Sequence, residues 1–150
     1  MKKVSILDYG VGNLKSIKNA LISLDSDPIL INSYNEIVNA DFLILPGVGA
    51  FKSAMSKLRD QSFDKAIYEF IKKGNPFLGI CLGMQILFDQ SSEFETSKGL
   101  GLIEGNVNKI PVKKKHRLPN IGWNYITKPT DLSWEKSVLK NLSIKDRVYF

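Results

Sequence analysis

The residue with the clearest chemical capacity is Cys81, in the run Gly79-Ile80-Cys81-Leu82-Gly83. An apolar run, Phe77 to Ile80, precedes it, and a stretch of helical spacing follows. This is the pattern of a nucleophile elbow with cysteine in the place of serine. A nucleophile on a sharp strand-to-helix turn needs neighbours without side chains, which the flanking glycines provide. A cysteine at a helix N-terminus has its thiolate favoured by the aligned peptide dipoles. Such surroundings lower a thiol pKa from about 8.5 to roughly 3.5–7.5. The Leu82 N–H would then point to where an oxyanion forms when sulfur attacks a carbonyl carbon. The plainer alternative is a buried, inert cysteine; the strand-turn-helix setting favours the nucleophile.

A second loop can serve the same chemistry. Pro46-Gly47-Val48-Gly49-Ala50-Phe51 follows an apolar run and precedes a helical one. Glycines on both sides of Val48 permit unusual backbone angles and a close ligand approach. An N–H of this loop is the candidate second oxyanion donor, against the plain reading of a tight turn. A third loop, Asp8-Tyr9-Gly10-Val11-Gly12-Asn13, has G-x-G, but Lys15 stands where a dinucleotide fingerprint needs its third glycine. The Gly-Lys-Ser/Thr ending of a P-loop is also missing. It reads as a glycine-assisted turn at the C-terminal edge of a sheet. A cysteine nucleophile wants a histidine base and an acid to orient it. The one histidine, His116, stands in Lys113-Lys114-Lys115-His116-Arg117 and reads as an exposed loop residue rather than that base.

These loops need elements to hold them. Val4–Leu7, Ile29–Ile31, Phe42–Leu45 and Phe77–Ile80 are short apolar runs read as strands. Between them Leu14, Ile17, Leu21 and Leu24, then Phe51, Met55 and Leu58, then Phe63, Ile67, Phe70 and Ile71 recur at helical spacing. Asp27-Pro28 and Gly74-Asn75-Pro76 read as breaks, and Met84 to Phe88 as a helix after the elbow. Apolar strands alternating with amphipathic helices predict an α/β fold, a parallel sheet with helices on both faces. From Ser91 onward the spacing predicts added β segments (Leu100–Ile103, Asn106–Ile110), a weak helical stretch between Leu132 and Leu142, and a strand opening at Arg147. One domain over residues 1–150 is expected.

Composition narrows the classes. Hydrophobic residues make up 43% and charged residues 24% of the 150, normal for a globular domain and not for a disordered chain. No apolar run approaches the ~18 residues of a membrane span, and no signal peptide opens the chain. A single cysteine excludes an internal disulfide framework, fits a reducing cytosol and, with one histidine, leaves no Cys/His zinc set. The net charge is 21 − 15 = +6, concentrated in the Lys113–Arg117 run. That run reads as a solvated loop, and without a recognised nucleic-acid-binding signature it does not argue for nucleic acid.

With these motifs in view, the chain resembles the class I (triad-type) glutamine amidotransferases, and among them the glutaminase subunits of imidazole glycerol phosphate synthase. The resemblance runs from Val4 to Phe150. It rests on Ile6 to Leu14, Pro46 to Phe51, Gly79 to Gln85, Gly99 to Ile103 and Pro119-Asn120-Ile121-Gly122-Trp123-Asn124. It implies a flavodoxin-like α/β fold and hydrolysis of glutamine to glutamate and ammonia through a thioester on Cys81. Val48 and Leu82 match the oxyanion-hole positions, and Gly47, Gln85 and Glu93 match positions expected to contact glutamine. Asn13, Pro119, Ile121 and Trp123 match the face that meets a (β/α)₈-barrel synthase, which receives the ammonia and with which a heterodimer is expected. No cofactor and no metal are implied.

The resemblance also carries an expectation of incompleteness. The family's catalytic His-x-Glu follows the strand that Val148-Tyr149-Phe150 begins, so residues 1–150 are expected to be a piece of a subunit of about 200 residues. This piece by itself is expected to have little or no glutaminase activity. Three other readings stand beside the first. They are a paralogous subunit supplying ammonia for surface-sugar amidation, a non-catalytic flavodoxin-like binding module, and a general cysteine hydrolase of the elbow type.

Overall fold

The computed structural model describes residues 1–111, 119, 121–129 and 133–149. His116, the basic run around it and Asn120 lie outside the described residues. The chain forms two compact units, Met1–Lys109 and Ile110–Phe150.

The first unit begins with β1 (Lys3–Leu7), α1 (Leu14–Ser23), β2 (Asp27–Ile31), α2 (Tyr34–Val38), β3 (Leu43–Leu45), α3 (Phe51–Asp60), α4 (Phe63–Lys72), β4 (Phe77–Gly79) and α5 (Leu82–Gln85). The four strands form one parallel sheet in the order β2-β1-β3-β4. From β1 the chain steps one way to β2, then reverses to β3 and β4. Right-handed crossovers therefore put α1 on one face and α2, α3 and α4 on the other. All strands point the same way, so the loops after β1, β3 and β4 leave from one edge. Those are the three loops with chemical promise, and the reversal of direction between β1 and β3 marks the usual ligand crevice of such sheets.

The two faces are unequally covered. Leu7, Ile31, Leu43 and Leu45 point to the three-helix face, where they pack with Ile37, Met55, Leu58, Ile67 and Phe70. Fully burying side chains of this size contributes about 1.5–3 kcal/mol each, which makes this face the main stabilising layer. The opposite parity forms the row Leu30–Ile6–Ile44–Leu78 across the register. Ile6 and Ile44 are buried, while Leu30 and Leu78 at the two ends are exposed. Of the described helices of this unit, only α1 lies on that side, and none of its residues is fully buried.

After α5 the chain continues into β5 (Phe88–Ser91), β6 (Ser97–Lys98) and β7 (Ile103–Val107), a separate sheet in the order β6-β5-β7. The expected helix through Phe88 is therefore a single turn followed by a strand. The amides of Leu102 and Ile103 both donate to the Leu87 carbonyl, and Phe88 pairs with Ile103, so sheet bonds from a distant segment override the local spacing. Pro28 does not break the chain but sits inside β2. Because β2 is an edge strand, its missing N–H can face outward. The second unit holds β8 (Trp123–Tyr125) and β9 (Arg147–Tyr149), an antiparallel pair. The weak helical stretch resolves, among described residues, into turns over 134–141, with Ser137, Lys140 and Leu142 each bonding three residues back. No helix among the described residues is long and apolar enough to cross a membrane.

Candidate active site

Cys81 stands between β4 and α5 with φ 57° and ψ −120°. A non-glycine residue in that region costs on the order of 1–3 kcal/mol and persists only where its surroundings over-determine it. They do so here. A Cβ on Gly79 would lie 2.7 Å from the Gly83 carbonyl oxygen and from the Met84 Cα. A Cβ on Gly83 would overlap the Leu45 carbonyl oxygen. Both glycines of the motif are thus required for α5 to fold back against β4 and β3. The Ile80 N–H donates to the Leu45 carbonyl at 3.0 Å, tying the elbow to the end of β3. The outcome is a thiol on an exposed corner, with Leu82 and Gly83 buried behind it. The helix is only four residues long, so its dipole is a smaller influence than the sequence suggests.

The loop after β3 lies against the elbow. A Cβ on Gly47 would stand 2.6 Å from the Gly83 nitrogen and 2.9 Å from the Leu82 Cβ, so Gly47 is in backbone contact with the turn bearing Cys81. Val48 is 53% exposed. Among the described residues, neither the Val48 N–H nor the Leu82 N–H has a backbone acceptor. The Leu82 N–H directly follows Cys81 in the chain, and the Gly47 contact brings the Val48 loop against the same turn.

Gln85 and Glu93 line one cavity of about 320 Å³ with Phe94, Val107, Asn108 and Lys109. Gln85 lies one turn after Cys81 and donates its N–H to the Cys81 carbonyl at 3.1 Å. One carboxylate oxygen of Glu93 accepts the Phe51 N–H at 3.3 Å, which ties the cavity wall to the start of α3. The parallel pairing of Ser91 with Val107 brings Asn108 alongside, where it accepts the Ser92 hydroxyl at 2.7 Å. Sequence spacing does not reveal Asn108 or Lys109 as cavity residues, because only that long-range pairing brings them there. Phe94 had its sequence signal in standing directly after Glu93.

The four partner-face candidates are distributed over both units. Asn13 caps α1, its side chain accepting the Ser16 N–H at 3.3 Å. In the second unit Pro119, Ile121 and Trp123 are exposed. Trp123 and Tyr149 pair across the β8–β9 ribbon with ring centroids 5.6 Å apart, and the Arg147 guanidinium lies 4.5 Å from the Tyr125 ring centroid on the same face.

A parallel α/β sheet carrying a cysteine on a strained strand-to-helix elbow, with unengaged amides beside it, defines a class of proteins built for nucleophilic attack on a carbonyl carbon. Residues 5–143 match the family described as Glutamine amidotransferase class-I, and the chain belongs to it. It is 44% identical over 155 aligned residues to "Imidazole glycerol phosphate synthase subunit HisH 1" of Legionella pneumophila (strain Lens), covering all of this chain and 73% of that one. It is 43% identical over 150 residues to "Imidazole glycerol phosphate synthase subunit HisH" of Lactococcus lactis subsp. lactis (strain IL1403), covering all of this chain and 71% of that one. A solved structure titled "Crystal structure of glutamine amidotransferase" superposes with a TM-score of 0.65 at 18% identity, over 81% of this chain and 63% of that one. That likeness supports the fold.

Proposed function

We propose that this chain belongs to a glutaminase subunit that releases ammonia from glutamine for a synthase making imidazole glycerol phosphate, in histidine biosynthesis. The observation that carries the reading is the strained backbone of Cys81, interlocked by Gly79 and Gly83, in a chain 44% identical to a synthase subunit. In the proposed reaction the Cys81 sulfur attacks the carboxamide carbon and the thiol proton passes to a base. The oxyanion is held by the N–H groups of Val48 and Leu82. Ammonia leaves with a proton returned from that base, and water then hydrolyses the thioester to glutamate.

The cavity chemistry supports an amino-acid substrate. Around it stand one carboxylate (Glu93), one ammonium (Lys109) and two carboxamides (Gln85, Asn108). These group types match the ammonium, carboxylate and carboxamide of glutamine. We place the barrel-shaped synthase partner on the exposed face around Ile121 and Trp123, with Asn13 also in contact, and the protein in a reducing cytosol. The test is Cys81→Ala in the full-length protein with its partner. Glutamine-dependent synthesis should fall by three orders of magnitude or more, on the order of what loss of such a nucleophile costs, while synthesis from free ammonia survives. Retention of glutamine-dependent synthesis overturns the role of Cys81. Loss with a partner of different chemistry redirects the reading to another amidating enzyme.

A further inference from the structure

We propose that the Tyr9 hydroxyl is a positioning group for the oxyanion loop, fixing the backbone that leads into Val48 by holding the Pro46 carbonyl. The inference rests on the glutaminase reading above and concerns what sets that reaction's rate.

Two successive carbonyls anchor the start of the loop. The Leu45 carbonyl is taken by the Ile80 N–H at 3.0 Å, and the Pro46 carbonyl by the Tyr9 hydroxyl at 2.8 Å. Pro46 has no N–H to contribute, so its carbonyl is its only hydrogen-bonding handle. The next three residues, Gly47, Val48 and Gly49, make no backbone hydrogen bond among the described residues. The segment is next tied at Ala50, whose carbonyl accepts the Ala54 N–H at 3.1 Å, and at Phe51, whose N–H donates to Glu93. The Val48 amide is thus carried on a short span with polar anchors at each end, and Tyr9 supplies the last one upstream. Rotation of the Pro46–Gly47 peptide would shift the span against the Leu82–Gly83 backbone that Gly47 touches.

Tyr9 is itself firmly held. It is 2% exposed, and burial pushes its pKa up to about 12, so it remains a donor throughout the neutral range. Its loop is fastened to α3 by the Lys57 ammonium, which donates to the Gly10 carbonyl at 2.8 Å. The Asp8 carboxylate accepts the Gly10 N–H at 3.1 Å. A phenylalanine would fill the same core position, so the hydroxyl's specific contribution is the bond to Pro46. Removing it leaves a buried carbonyl without its donor and free to turn.

The experiment is Tyr9→Phe in the full-length subunit with its synthase partner. Glutaminase kcat and KM are measured beside the rate of Cys81 alkylation by iodoacetamide, which needs the thiolate but no oxyanion hole. The expected result is a kcat about tenfold lower, with KM and alkylation rate each within twofold of wild type. This is less than the roughly 10²–10³ lost when a donor is deleted outright. An unchanged kcat overturns the inference. A fall in kcat matched by an equal fall in alkylation rate also overturns it, because that marks general damage to the elbow. Should Tyr9→Phe fail to fold, Lys57→Met loosens the same loop from its surface end. There a fall in kcat alone supports the inference and an unchanged kcat overturns it. Cys81→Ala run in parallel separates the two claims. If it keeps glutaminase activity, the functional reading fails; if it is inactive while Tyr9→Phe matches wild type, only the positioning role fails.

Discussion

At the scale of single residues, the site depends on side chains that are absent as much as on the thiol that is present. Gly83 is the sharpest case. Any Cβ there would collide with the backbone carbonyl of Leu45, which cannot move without disturbing β3, and would lie 2.8 Å from the Leu45 carbonyl carbon. Gly83→Ala should therefore destabilise the protein by about 1–3 kcal/mol through overpacking. It should also push the elbow off β3, lowering glutaminase activity at least tenfold in whatever protein still folds. Calorimetry and a glutaminase assay on the purified variant check both parts, and a variant with wild-type stability would show that the elbow can relax. The motif G-x-C-x-G announced the requirement for glycine. The reason for it, the neighbouring strand β3 pressing on the turn, did not exist until the chain had folded.

At the scale of elements, α2 escaped the reading of apolar spacing because it is only five residues long. Its signal lay elsewhere, in Ser33-Tyr34-Asn35-Glu36, a Ser-x-x-Glu capping box. The Ser33 hydroxyl accepts the Glu36 N–H at 3.4 Å, while the Glu36 carboxylate accepts the Ser33 hydroxyl at 2.7 Å and the Asn32 N–H at 3.1 Å. The Ser33 hydroxyl, first, and the Asn32 N–H hold the Glu36 carboxyl below its ordinary pKa of 4.5. A depressed carboxyl pKa contributes stability that is present above the ordinary value and lost as pH falls through the folded one. Ser33→Ala should lower Tm by about 2–4 °C at neutral pH. It should also flatten the acid limb of the stability curve below pH 4.5, since the largest cause of the Glu36 shift is gone. Thermal melts from pH 3 to 7 test this, and an acid limb parallel to wild type would assign the pH dependence to other carboxylates. The helix through Phe88 failed for the opposite reason. Its spacing was helical, but the pairing of β5 with β7 supplied hydrogen bonds that a local pattern cannot count.

At the scale of the whole molecule, the exposed aromatic face of the β8–β9 ribbon has the composition of a contact surface. Trp123, Tyr125 and Tyr149 are each more than half exposed and stand on one side of the ribbon with Arg147. Tryptophan, tyrosine and arginine are the residues that most often dominate binding energy. Trp123→Ala should weaken association of the full-length subunit with its synthase partner by roughly 30-fold or more, the scale of a hot-spot loss of ~2 kcal/mol. Iodoacetamide alkylation of Cys81 in the isolated subunit should be unaffected. Titration calorimetry and an alkylation assay distinguish this from misfolding, and an unchanged affinity would move the partner surface elsewhere.

The sequence by itself determined the alternation of strand and helix, the parallel sheet, the elbow at Cys81 and the two loops that flank it. Those features are written in short-range periodicity, in glycine placement and in the chemistry of single side chains. Only the tertiary structure decided that Glu93 shares a cavity with Gln85, Asn108 and Lys109, that Phe88 leaves the helix for a strand, and that Tyr9 holds the Pro46 carbonyl 37 residues away. The physical reason is common to all three. A hydrogen bond or a packed contact between distant segments forms only once the sheet has set their register, and nothing in local sequence encodes which buried donor will meet which carbonyl.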